Sequence, residues 1–261
     1  MCELDWRAAV AQVRGVVLGS SPGRLLASFF PCFDVVPMRL LQFSTSHYCR
    51  KVRLALGYKR IPYEVENLTP GAHRFKLKPL VGLTTVPVLL PESPDGPVAV
   101  GDSTEILKFL EGYSPEPSWA VEESEGHRRA WLLEDWLDES IGTATRFLYY
   151  DFRAKEGKSV NPSWFAQTLV KVVRVQYDIS PAGVALARQR LTLALTELSQ
   201  RWRDSPYLVG DRLSVADLTA AGLLSPLALI PQYRQDYPWL FERIEQIHEC
   251  CQEPLPPGLM S

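Results

Sequence analysis

The run from Ser46 to Arg53 begins with Ser46-His47-Tyr48-Cys49 and sits where an apolar strand pattern gives way to a helical one. A helix start carries unpaired N–H groups and the positive end of the dipole, which makes it a seat for an anion such as a thiolate. A free thiol titrates at about 8.5, and bringing it down to about 6.5 takes about 2.7 kcal/mol. The dipole and one charge-assisted hydrogen bond from the Ser46 hydroxyl can supply that much. The same serine also reads as a plain helix cap.

Two further segments add binding chemistry. Thr85-Val86-Pro87-Val88 enters a strand through a proline, which has no ladder N–H to lose. A cis bond before Pro87 would present the Val86 N–H and C=O to a bound peptide, as an added strand does. Asp102-Ser103-Thr104 follows the next strand, and Ser103 is placed to cap a helix. Its hydroxyl and the N–H groups beyond it suit a carboxylate, and Asp102 beside it suits an ammonium group. Together they match the head of an α-amino acid. Taken singly, each segment is equally an ordinary turn or cap.

The elements that must position these residues follow from periodicity. Leu40, Leu41 and Phe43 suggest a strand, and a helix is expected over 48–58 with Val52, Ala55 and Leu56 on its buried face. Strands over 63–68, 86–90 and 98–100, helices over 72–80 and 103–110, and a turn at Pro94-Asp95-Gly96 complete a βαβ then αββα order. That is the order of a thioredoxin-like fold, in which helices cover a small mixed sheet. After a linker with Pro115 and Pro117, every period is helical: 121–155, 162–177, 181–204, 214–229 and 239–250. Three domains are expected: an N-terminal helical extension over 1–37, a thioredoxin-like domain over 38–112 and an all-α domain over 120–250. The extension carries a helical pattern over 4–17 and an apolar cluster from Leu25 to Phe33.

Bulk properties exclude several classes. Lys and Arg number 28 against 30 for Asp and Glu, a net charge of -2, so no field gathers nucleic acid. Five scattered cysteines do not make a disulfide framework and suit a reducing, cytoplasmic setting. No signal peptide, membrane span or metal site is expected.

The three segments together resemble the glutathione transferase amino-terminal domain. The Ser46 to Arg53 run is similar to the serine-type tau and zeta classes, and Gly82 to Pro87 to the related glutaredoxins. Asp102 stands where the family carries glutamate before its serine. Ser214-Val215-Ala216-Asp217, preceded by Leu213 and followed by Leu218, reads as a capping box with a hydrophobic staple and resembles the family's helical-domain signature. The resemblance implies glutathione as co-substrate, with Ser46 catalytic at its sulfur, Val86 and Pro87 at its cysteinyl backbone, and Asp102 and Ser103 at its γ-glutamyl head. It also implies a hydrophobic electrophile as second substrate, met near Trp136, Thr145 and Tyr149, and a homodimer. Two other classes stay open. One is a glutathione-dependent thiol oxidoreductase using Cys49, and the other a non-enzymatic carrier or interaction protein of the same fold.

Overall fold

A computed structural model describes residues 38–91, 99–121 and 124–260. The extension over 1–37, with its expected helix and apolar cluster, and the turn at 94–96 lie outside them. Apolar residues at Leu40, Leu41, Val88 and Leu89 are removed from solvent because their strands are central. The sheet has the order β2-β1-β3-β4, with β1 Met38–Gln42, β2 Tyr63–Asn67, β3 Val88–Leu90 and β4 Val100–Gly101. β1 and β2 are parallel, joined by α1 (His47–Tyr58), while β1 with β3 and β3 with β4 are antiparallel. With α2 (His73–Val81) and α3 (Ser103–Tyr113) the element order matches the expected thioredoxin-like one. β3 starts at Val88 rather than at Val86, because Pro87 has no amide for the ladder.

The rest of the described chain is helical: α4 Ser124–Asp135, α5 Gly142–Ala154, α6 Trp164–Gln176, α7 Pro181–Asp204, α8 Val215–Leu224, α9 Pro231–Asp236 and α10 Pro238–Cys250. The single helix expected over 121–155 is instead two, joined by a π-helical turn at Trp136–Ile141. The helix expected over 214–229 ends at Leu224, and Ser225–Leu229 tightens to 3-10, since Pro226 gives up an N–H and crowds the preceding turn. The unexpected α9 begins with Pro231 in its first turn, where the lost amide costs nothing. Among the described residues no helix is long and apolar enough to cross a membrane.

The helical part meets the sheet along α1 and α8. All ten residues of α8 are buried, and so is α1 from Cys49 to Leu56. The expected apolar face of α1 is inside, but Arg50, Lys51 and Arg53 are inside too: α8 lies over Lys51, Arg50 donates to the Ser225 hydroxyl, and Arg53 donates to Gln42 and Glu253. A Cβ on Gly222 would fall 2.8 Å from the Lys51 Cα, so only glycine permits this backbone approach. The start of α8 carries the expected capping box. The Ser214 N–H donates to Asp217 Oδ2 at 3.0 Å, and Leu208 N–H and Trp202 Nε1–H donate to Oδ1 at 2.9 and 3.1 Å.

Candidate active site

Strand register brings the three predicted segments to one end of the sheet. Leu41 pairs with Val88, and Val88 with Gly101. One step past this row, β1 runs out toward Ser46, β3 is entered from Val86 and Pro87, and β4 gives way to Asp102 and Ser103. The peptide bond between Val86 and Pro87 is cis.

Ser46 is the N-cap of α1, half-buried, with its Oγ accepting from the Cys49 N–H at 3.3 Å. As an acceptor there, the hydroxyl keeps its own hydrogen to donate. Cys49 is fully buried, and burial pushes its thiol up, against hydrogen bonds with the Ser46 side chain and the Phe43 backbone. A buried thiol held protonated is a poor nucleophile.

The cap of α3 is Asp102 and not Ser103. Asp102 sits at φ 72°, outside the helical region, and its carboxylate accepts from the N–H groups of Thr104 at 2.9 Å and Glu105 at 3.2 Å. Ser103 is therefore the first helical residue, and its hydroxyl turns inward to Asp138 Oδ1 at 3.2 Å and Lys51 Nζ at 3.3 Å. Lys51 is fully buried and also holds the Glu134 and Asp138 carboxylates and the Thr104 hydroxyl. Burial pushes the Glu134 carboxyl up, against the pull of Lys51. This cluster ties α1 and α3 to α4 and the π turn directly behind the Asp102-Ser103 corner. The sequence reading missed it, and its one legible trace is the i,i+4 spacing of Glu134 and Asp138.

Of the residues expected near a second substrate, Trp136 and Tyr149 are half-buried, and Tyr149 accepts from Arg153 Nη1 at 3.0 Å. Thr145 is fully buried and lines nothing accessible. His47 is buried, with Nε2 3.1 Å from the Gly142 carbonyl.

Burial, helped by the Arg146 charge, lowers His47 to about 3, and burial with the Arg50 charge lowers His248 to about 4. Both stay neutral when folded, whereas an unfolded histidine titrates at about 6.5. The unfolded chain therefore binds more protons below about pH 6.5, and stability falls as pH drops. The loss is about 1.4 kcal/mol per pH unit for each histidine until its folded value is reached. The raised carboxyls of Glu134 and Asp217 work in the opposite sense, by taking up a proton first in the folded state. Urea unfolding between pH 7 and pH 5 should thus show a shallower slope for the His47→Gln/His248→Gln variant than for wild type. Equal slopes would reject the assignment.

Comparison with known proteins adds to this geometry. Residues 40–118 match the family model "Glutathione S-transferase, N-terminal domain" and residues 181–242 match "Glutathione S-transferase, C-terminal domain", together more than half of the chain. A glutathione S-transferase structure from Methylobacterium radiotolerans, in complex with glutathione sulfonate, is 23% identical with a TM-score of 0.64, over 86% of this chain and 97% of that one. Another from Methylobacillus flagellatus, with glutathione bound, is 21% identical with a TM-score of 0.60, over 82% of this chain and 97% of that one. Among curated proteins, mouse prostaglandin E synthase 2 is 22% identical over 76% of this chain, which spans only 65% of that protein's length.

Proposed function

The chain belongs to the glutathione transferase family, and on that premise we propose that it activates the glutathione thiolate for attack on a hydrophobic electrophile. The observation that carries this reading is the register row Leu41, Val88 and Gly101, beyond which Ser46, Val86 and the Asp102-Ser103 corner gather at one sheet end. In it, residues 38–112 hold glutathione and residues 120–250 shape the second site. Ser46 donates its remaining hydrogen to the sulfur at the positive end of α1. Val86, just ahead of Pro87, pairs with the cysteinyl backbone. Asp102 takes the γ-glutamyl ammonium, and the Ser103 N–H at the start of α3 takes its carboxylate. A cytoplasmic homodimer belongs to the same proposal, and light scattering reads the pairing.

Ser46→Ala is expected to lower kcat/KM for conjugation about a hundredfold while glutathione affinity by calorimetry stays within about twofold. Cys49→Ser is expected to leave conjugation near wild type, since the thiol is buried and protonated. A Cys49→Ser protein without activity, beside an unaffected Ser46→Ala protein, would move the chemistry to the cysteine.

A further inference from the structure

Arg146 on α5 is a cation at the start of α1 that meets no counter-charge among the described residues. Its guanidinium carbon lies 5.2 Å from the ring centre of Tyr48 and 4.4 Å from that of Tyr177. Among the described residues it forms no ion pair. Asp138 is held by Lys51, and Asp151 by Lys155 and Arg174. Glu139 is exposed, and no salt bridge joins it to Arg146. Aromatic faces stabilise a guanidinium by about 0.5–2 kcal/mol, but they offer no acceptors to its five N–H donors.

The position is fixed. Tyr48 follows Ser46 by two residues, and its hydroxyl donates to the Asp138 carbonyl at 2.9 Å. Gly142 makes room for it, since a Cβ there would fall 2.8 Å from that hydroxyl. Burial pushes the Tyr48 and Tyr150 phenols up to about 12, so both are neutral beside the cation. Tyr177, just past the end of α6, also lies against Arg146.

We propose that Arg146 determines specificity at the second-substrate site, and that the electrophile it selects carries a carboxylate on an apolar, ring-sized body. This rests on the transferase reading above. A planar carboxylate matches the guanidinium fork, and the tyrosine rings suit the apolar body. For an aryl chloride, the glutathione sulfur forms the new C–S bond, chloride leaves with its electron pair, and the thiol proton passes to solvent.

The test uses the full chain with glutathione and two electrophiles, a chloro-dinitrobenzoate and the matching neutral chloro-dinitrobenzamide, each rate divided by its uncatalysed rate. Wild type is expected to favour the acid by about tenfold or more in kcat/KM. Arg146→Gln should lose that preference while the amide changes by less than about threefold, and Arg146→Lys should keep part of it. Equal use of both electrophiles by wild type, or a preference that survives in Arg146→Gln, overturns the proposal. Should neither be turned over, the transferase reading fails on its own, and tryptophan-fluorescence titration with the chlorine-free dinitrobenzoate and dinitrobenzamide still reads the site. Binding of the acid alone, lost in Arg146→Gln, upholds the anion site, and equal binding of both overturns it.

Discussion

Lys51→Met is expected to destabilise the protein by about 3–5 kcal/mol in urea unfolding, because it leaves two buried carboxylates without their cation. Glu134 and Asp138 have almost no solvent to turn to, and each would face the other's charge. The deficit should shrink as pH falls. With Lys51 gone, the Glu134 carboxyl, already raised by burial, takes up a proton more readily in the folded state, and folding gains from that uptake. Adding Glu134→Leu and Asp138→Leu removes the orphaned charges and should restore most of the loss, since apolar groups of similar size often replace a buried ion cluster at little cost. A single Lys51→Met change costing less than about 1 kcal/mol would show that the cluster is not closed to water.

Asp217→Ala should be nearly as severe, at least about 3 kcal/mol, with a lower thermal midpoint and poorer recovery after unfolding. Its carboxylate satisfies three buried N–H groups drawn from three places in the chain: the Ser214 and Leu208 amides and the Trp202 indole. Alanine leaves all three unpaired at the head of a helix with no exposed residue. Asp217→Asn keeps one acceptor oxygen and should fall between the two. An alanine variant within about 1 kcal/mol of wild type would mean that water reaches those donors.

Both predictions turn on side chains whose burial the sequence reveals unequally. The capping box was readable because its chemistry is local: Ser214 and Asp217 lie within one helical turn and answer to a spacing rule. The βαβ then αββα order was readable for the same reason, since each element writes its own period. Lys51 was not, because a lysine opposite an apolar face looks solvated until a second helix covers it, and the sequence does not say where α8 will lie. The three site segments were each visible, yet their meeting depends on strand register, which no single segment carries. Thr145, expected near the second substrate, lies fully buried for want of this same third dimension. The choice of Asp102 over Ser103 as cap follows from a positive φ, a backbone property that the adjacent residues do not announce.

The π turn at Trp136–Ile141 acts as a phase correction. An α-helix advances about 100° per residue, so groups eight or twelve positions apart drift away from a common direction. A wider turn absorbs a residue without spending that rotation. Glu134 before it, Asp138 within it, and Gly142 and Arg146 after it can consequently all address α1. The segment behaves as a gear with one tooth added, and losing a single residue there would swing everything downstream off its mesh while every side chain remained in the sequence.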